Sequence, residues 1–205
     1  MTYHAVLRRN RQNRTNYRKR AALLLARRSF VSITISNQNV MAQVLKPSPI
    51  GDSVVTAVQS KELIKYGWKG SMNGLPSCYL TGFLLGIKAL KKATDGLILY
   101  TGNKSYTSGI AACMKGIVDA GVKIPLSESS LPSADRIRGS HIAQYAEILK
   151  QDSEKYNSQF STILKNGCKP ENYPAHFEET KSKIRNLQLT KPTTGKTNDN
   201  IGNVS

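Results

Sequence analysis

The chain has 205 residues, enough for one medium-sized domain with appendages, and its 30 Lys and Arg side chains outnumber its 13 Asp and Glu side chains by 17. A positive excess of this size indicates a polyanionic partner, because so basic a chain repels itself. The longest apolar stretch, residues 75–90, is interrupted by polar residues and glycines, which argues against a membrane span.

The positive charge is concentrated at the N-terminus. Residues 1–51 contain ten basic side chains and no carboxylate before Asp52, whereas the other three quarters contain 20 basic and 13 acidic residues. A solvated charged face normally mixes both signs, so an acid-free segment is better explained by RNA binding. Residues 10–26 are predicted to form a helical or partly extended basic arm that ends on an apolar anchor at residues 23–25.

Three strands are predicted next. Residues 30–36 and 40–45 alternate or are rich in β-branched residues around a turn-like 37–39, which predicts a hairpin, and residues 53–59 predict a third strand. The pattern then changes to strand and helix in alternation, which indicates an α/β body. The last strands are expected at residues 97–101, which are fully apolar, and more weakly at 122–124.

Helices are predicted from apolar residues recurring at helical spacing. The first carries Leu80, Phe83, Leu84, Ile87 and Leu90, and its Gly82 and Gly86 would let a neighbouring element approach closely. The second carries Ile110, Met114, Ile117 and Val118 and is closed by Gly121. The third opens at Ser133 and carries Ile137, Tyr145, Ile148 and Leu149.

Four regions are therefore expected along the chain. They are a basic RNA-binding arm (1–28), an α/β body (29–150), a helical C-terminal extension (151–189) and a disordered polar tail (190–205).

The sequence contains no convincing catalytic or metal-binding motif. Residues 101–105 (TGNKS) lack the glycines of a phosphate-binding loop, Ser71 has no strand before it, and the three histidines are scattered. His141 shares an apolar helix stripe and is expected to be a half-buried, hydrogen-bonded structural residue. The three cysteines are widely spaced, and the start of the chain lacks a secretory pattern. We expect a cytoplasmic protein that is not an enzyme and uses no cofactor, metal or small-molecule substrate.

RNA-binding chemistry remains, since arginines pair with phosphates and aromatic rings stack on bases. Trp68 in residues 66–70 (YGWKG) is either an exposed stacking residue beside Lys69 or a core residue, and both alternatives stay open. The residues predicted to bind RNA are Arg8, Arg9, Arg11, Arg14, Tyr17, Arg18, Lys19, Arg20, Arg27, Arg28, Trp68, Lys69 and Lys104.

Several strings, in order, resemble the archaeal-type large-subunit ribosomal protein family that binds 5S rRNA, the universal eighteenth family. They are residues 15–20 (TNYRKR), 66–70 (YGWKG), 79–82 (YLTG), 115–121 (KGIVDAG), 124–125 (IP) and 131–142 (LPSADRIRGSHI). Residues 152–187 resemble the family's C-terminal extension more loosely. The sequence departs from the family at Asn16, where Asp is usual, at residues 37–39, where the hairpin tip is usually more basic, and at residues 100–102, where the strand end is usually acidic.

The resemblance implies an α/β fold with a mixed β-sheet and packed helices, of the ribonuclease-H-like type found in translation proteins. It also implies a structural role in the large ribosomal subunit, where 5S rRNA, 23S rRNA and neighbouring ribosomal proteins would be the partners in the central protuberance. The alternatives are a basic RNA-binding or RNA-chaperone protein outside the ribosome and, third, a nucleic-acid-processing enzyme. The predicted strands contain no Asp or Glu to bind a catalytic metal, which argues against the third.

Overall fold

A computed structural model describes residues 6–92 and 96–189 of the chain. The predicted disordered tail (190–205) and the first five residues of the predicted arm lie outside the described residues. In chain order the elements are α1 (Arg8–Arg11), α2 (Tyr17–Ala26), β1 (Phe30–Ile35), β2 (Val40–Lys46), β3 (Ser53–Gln59), a 3-10 helix (Ser60–Tyr66), α3 (Leu75–Lys91), β4 (Ile98–Leu99), α4 (Ser108–Asp119), a 3-10 turn (Glu128–Ser130), α5 (Ala134–Arg138), α6 (Ser140–Leu149), α7 (Ser153–Gln159), α8 (Ser161–Lys165), a 3-10 turn (Pro170–Asn172) and α9 (Tyr173–Leu189).

The sheet has the strand order β3-β2-β1-β4, with the first three strands antiparallel and β4 parallel to β1. The predicted hairpin and third strand are confirmed, and the mixed sheet with packed helices confirms the α/β class. Alternate residues of β1 and β2, among them Val31, Ile33, Val40 and Val44, are buried under the helices. Most side chains on the opposite face of β1–β3 are exposed or half-buried among the described residues.

α3 and α4 form the centre of the helical layer and approach each other at glycines, as predicted for Gly82 and Gly86. A Cβ built on Gly82 would lie 2.0 Å from the carbonyl oxygen of Cys113, and one on Gly116 would lie 2.2 Å from that of Tyr79. Any side chain at either position would therefore clash with the backbone of the neighbouring helix. The glycines let the helices pack closely, which buries α3 almost completely.

The strand predicted at residues 97–101 is confirmed only as the two-residue β4, and the chain turns shortly after it at Gly102, where φ is +62°. The strand predicted at residues 122–124 is not formed, so that prediction is wrong. A single backbone hydrogen bond, from Leu97 N to the carbonyl oxygen of Lys123 at 3.2 Å, joins the two segments. The edge of β1 from residue 32 onward is consequently not covered by β4.

Two predicted elements change direction at a residue of positive φ. The arm, predicted to be helical or partly extended, bends at Asn13 (φ 54°), between α1 and α2. The helix predicted from Ser133 stops at Gly139 (φ 83°), where a Cβ would lie 2.7 Å from Tyr173 Cδ1. The break separates buried Ile137 on α5 from the largely exposed α6.

The C-terminal segment folds back on the body through α9, which contacts α3 and α5 and buries Tyr173, Phe177 and Ile184. α7 and α8 add a smaller aromatic cluster in which Phe160 packs against Tyr145 and Tyr156. Among residues 6–92 and 96–189, no helix is both long and apolar enough to cross a membrane.

Candidate nucleic-acid interface

Most basic side chains of the arm are exposed. Asn16 begins α2 as its N-cap, and its side-chain oxygen accepts a hydrogen bond from Lys19 N at 3.0 Å. An Asn in the place of the usual Asp therefore still caps the helix, without adding a negative charge. The candidate side chains exposed on the arm are Arg8, Arg9, Arg11, Arg14, Tyr17, Arg18, Lys19, Arg27 and Arg28.

Arg20 has a different role from the one predicted. Its guanidinium donates two hydrogen bonds to the Asp52 carboxylate, at 2.7 and 3.0 Å, and one to the carbonyl oxygen of Ser48 at 3.4 Å. The bond to Asp52 is the main cause that raises the pKa of Arg20. The first carboxylate of the chain thus attaches α2 to the β2–β3 connection, and Arg20 is not free to bind a phosphate.

The arm also meets the turn after β4. Lys19 Nζ donates to the carbonyl oxygen of Gly102 at 3.3 Å, and Asn103 Nδ2 donates to Asn13 Oδ1 at 2.9 Å. These contacts hold the loop between α1 and α2 in place against the body.

A cleft of about 430 Å³ lies between the arm and this turn, and we call it the arm cleft. Its basic residues are Arg9, Arg14 and Lys104, its polar wall includes Ser32 and Thr34, and none of the described residues that line it is a carboxylate. Arg9 is held by a hydrogen bond from its Nε to Thr15 Oγ1 at 2.9 Å. Three cations from two separate segments are therefore brought together without a compensating anion.

The uncovered sheet face continues from the cleft. In the strand register Ser32 pairs with Gln43 and Thr34 with Met41. Gln43 and Met41 pair in turn with Ala57 and Gln59 of β3. These side chains are exposed or half-buried, and none is charged. The sequence did not predict this neutral face or the contact between Asn13 and Asn103 that attaches the arm. The alternation of apolar and polar residues in the strands was the only local signal for the face.

The structure does not bring all candidates together. Arg28 lines a different, mostly apolar cleft of about 770 Å³ with Lys123, beside the edge formed by Leu97 and Ile98. Lys69 lies in a third cleft, formed with the C-terminal segment.

Trp68 is buried, and the stacking alternative for it is wrong. Its side chain is 2% exposed, its Nε1 donates to the carbonyl oxygen of Ser71 at 3.1 Å, and its ring stacks on His176 with centroids 5.1 Å apart. Tyr173 closes the other side edge-on at 5.4 Å. The second alternative, a core position, is the one observed.

Catalytic alternatives find no support in the described residues, which contain no group of His, Cys, Asp and Glu suited to a metal ion. Burial raises the pKa of the Cys78 thiol to about 12, so this thiol stays protonated and unreactive. Ser71 Oγ is hydrogen-bonded to Asn73 Oδ1 at 2.9 Å rather than to a base. His141 is exposed and makes no hydrogen bond within the described part of the chain, which corrects the half-buried, hydrogen-bonded expectation.

Comparison with known proteins identifies the family of the chain. Residues 1–109 match the family described as "Ribosomal large subunit proteins 60S L5, and 50S L18". The large ribosomal subunit protein uL18 of Methanococcus maripaludis is 41% identical over 187 residues, which cover 90% of this chain and 97% of the relative. The family match includes the arm, the sheet and α3. The chain therefore belongs to the L5/L18 family of large-subunit ribosomal proteins.

Proposed function

We propose that the chain binds 5S rRNA through the arm cleft and the adjoining sheet face and helps to attach it to 23S rRNA in the central protuberance. As a member of its family, the chain is a structural constituent of the large ribosomal subunit, located on the cytoplasmic ribosome, and not an enzyme. The observation that carries the proposal is the acid-free cleft in which Arg9, Arg14 and Lys104 converge.

The cleft would bind the RNA backbone by its shape and charge. Arginine side chains donate paired hydrogen bonds to phosphate oxygens, and lysine adds a point charge. Because the Arg9 side chain is already held by Thr15 and the loop by Asn103, less conformational entropy is lost on binding than with a free basic tail. The neutral sheet face would then fit against a folded RNA surface without electrostatic repulsion.

Three of the four predicted regions are proposed to contribute to this function. The arm (1–28) supplies most cations, the body (29–150) supplies the sheet face and Lys104, and the extension (151–189) completes the fold around Trp68. Arg20 and Trp68 are removed from the proposed RNA contacts, because the first is paired with Asp52 and the second is buried. Neighbouring ribosomal proteins remain proposed partners of surfaces outside the arm cleft. Family membership favours this function over that of a basic RNA-binding or RNA-chaperone protein outside the ribosome.

The test replaces the three cleft cations together, as Arg9→Gln, Arg14→Gln and Lys104→Gln. Each phosphate contact contributes about 0.7–0.9 to the slope of log K against log salt, so the slope for 5S rRNA should fall by roughly 2 to 3. Filter binding across a potassium chloride series measures this slope.

A matched triple variant supplies the control. Lys61→Gln, Lys65→Gln and Lys91→Gln remove the same charge from exposed positions outside the cleft. If the control variant lowers the slope as much as the cleft variant does, net charge explains the binding and the assignment of the cleft is wrong. Co-sedimentation of each variant with large subunits tests the role in assembly.

A further inference from the structure

A second cationic cleft, separate from the arm cleft, lies where the C-terminal segment packs against residues 67–69. We call it the C-terminal cleft. It has a volume of about 700 Å³, and the described residues that line it include four charged side chains, Lys69, Lys169, Lys183 and Glu179, together with His176 and the Cys168 thiol. The cations come from three different segments, so only the folded extension brings them together.

The charges in this cleft are not balanced. Glu179 is its single carboxylate and is paired with Lys183, with Oε1 and Nζ 2.6 Å apart. Lys69 and Lys169 form no ion pair within the part of the chain that the structure describes. Burial is the largest cause that lowers the pKa of His176; Glu179 raises this pKa, and Lys69 and Lys183 each lower it, so all three charged groups lie close to the ring.

Bare backbone lies beside two of the ammonium groups. Gly67 (φ 85°) and Gly167 (φ 71°) both adopt the left-handed conformation that disfavours a side chain. A Cβ built on Gly67 would lie 3.4 Å from Lys183 Nζ, and one on Gly167 would lie 4.0 Å from Lys69 Nζ. Neither glycine therefore places a β-carbon beside these two ammonium groups.

His176 adds a directed donor. Its Nε2 accepts a hydrogen bond from Lys69 N at 3.0 Å, so the proton of the neutral ring is on Nδ1. The carboxylate oxygen nearest to Nδ1 is Oε2 of Glu179 at 4.0 Å, which is too long for a hydrogen bond. The Nδ1–H group is thus a donor without an acceptor among the described residues.

We propose that the C-terminal cleft binds a phosphate of the RNA backbone, as a second point of attachment independent of the arm cleft. Two unpaired ammonium groups, a third held by one carboxylate and an N–H donor suit the several oxygens of a phosphodiester. RNA is favoured over an acidic peptide because, on the function proposed above, the chain lies against ribosomal RNA; the phosphate can belong to 5S or to 23S rRNA.

Two adjacent carboxylates provide a matched test. Glu178 and Glu179 are similarly exposed and each is paired with one cation, Glu178 with Arg138 at 3.2 Å, but only Glu179 lines the cleft. Glu179→Gln should tighten RNA binding about threefold or more at low salt, because it frees Lys183 and removes the only local repulsion. Glu178→Gln makes the same change in net charge outside the cleft and should have a smaller effect.

The complementary variant combines Lys69→Gln with Lys169→Gln, which leaves the Lys183–Glu179 pair intact. Its salt slope should fall by about 1.5 to 2 relative to the wild type, by loss of two phosphate contacts. Each variant is tested in two assays. The first measures its binding to 5S rRNA alone, and the second measures the binding of its preformed complex with 5S rRNA to 23S rRNA. An effect in the first assay assigns the phosphate to 5S rRNA, and an effect only in the second assigns it to 23S rRNA.

The failure of this inference is distinguishable from failure of the proposed function. If Glu178→Gln and Glu179→Gln behave alike and the double lysine variant keeps the wild-type slope with both RNAs, the C-terminal cleft is not an RNA site. Competition by an acidic peptide at Lys69 and Lys169 without any RNA effect would also overturn it. The proposed function fails instead if the wild-type protein and the arm-cleft variant bind 5S rRNA with the same affinity and salt slope.

Discussion

Replacing Asp52 by Asn separates two explanations of RNA binding, one by net charge and the other by the position of the arm. The substitution raises the net charge by one, so charge alone predicts tighter binding to RNA. It also removes the carboxylate that holds Arg20 by two hydrogen bonds of 2.7 and 3.0 Å. If the arm must be held against the body to form the arm cleft, Asp52→Asn should weaken binding.

The expected magnitude follows from the geometry of this pair. The Arg20 and Asp52 side chains are 25% and 19% exposed, so the pair is better protected from solvent than an ordinary surface ion pair. Hydrogen bonds to charged groups contribute about 1.5–3 kcal/mol, and Asn retains one acceptor, so a loss of about 2 kcal/mol is expected. This corresponds to a decrease of roughly 30-fold in the population of the attached arm, which is the upper limit for the loss of affinity.

Fluorescence anisotropy with labelled 5S rRNA measures the affinity, and hydrogen exchange of the α2 amides measures whether the arm is attached. Asp135→Asn is the matched control, because Asp135 is exposed and forms no ion pair in the described part of the chain. We expect Asp52→Asn to bind several-fold more weakly than Asp135→Asn, with faster exchange in α2. Equal or tighter binding by Asp52→Asn would refute the positional explanation.

Three further predictions concern stability. Gly82→Ala should destabilise the fold by about 2 kcal/mol or more in urea unfolding, because the clash with the backbone of α4 exceeds the roughly 1 kcal/mol that Ala contributes in a helix. Gly86→Ala should be partly rescued by Ala120→Gly, since a Cβ on Gly86 would meet the Ala120 Cβ at 2.6 Å. Burial lowers the pKa of His176 below 6.5, so its contribution to stability is complete above about pH 6.5 and is lost as the pH falls through the lower folded-state value. His176→Gln, which keeps an acceptor for Lys69 N, should flatten this dependence.

Each of these predictions has its own control. No single change in a side chain of α4 should rescue Gly82→Ala, because its obstacle is a carbonyl oxygen; a full rescue would show that the helices separate easily. Additive effects of Gly86→Ala and Ala120→Gly would contradict their proposed contact. His141→Gln is the control at the other described histidine. The slope of the unfolding free energy against pH should be steeper for the wild type than for His176→Gln by at most about 1.4 kcal/mol per pH unit. Parallel curves for the wild type and His176→Gln would contradict the assignment.

The sequence by itself determined the features that depend on consecutive residues. The hairpin, the third strand and helices α3 and α4 follow from apolar periodicity, and the need for Gly82 and Gly86 follows from their place on an otherwise apolar helix. The absence of Asp and Glu from residues 1–51 indicated that this segment binds RNA. Charge composition can be counted without any knowledge of the fold. The ordered motifs indicated the family.

Only the tertiary structure decided which candidate residues share a site. Arg20 and Asp52 are 32 positions apart, Asn13 and Asn103 are 90 apart, and Lys69 and His176 are 107 apart. Pairings over such distances leave no periodic signal, because each depends on how separate elements pack. For this reason the sequence could place Arg20 among basic residues but could not show that Asp52 binds it.

Trp68 is a second residue whose role could not be predicted from the sequence alone. Its neighbours in sequence are glycines and lysines, which suggest an exposed loop, yet its ring is covered by residues from α9 more than 100 positions later. The large apolar surface of a tryptophan is stabilised wherever the fold supplies a cover. The sequence thus determined that Trp68 needs a partner, and the packing of α9 decided that the partner is the protein itself rather than RNA.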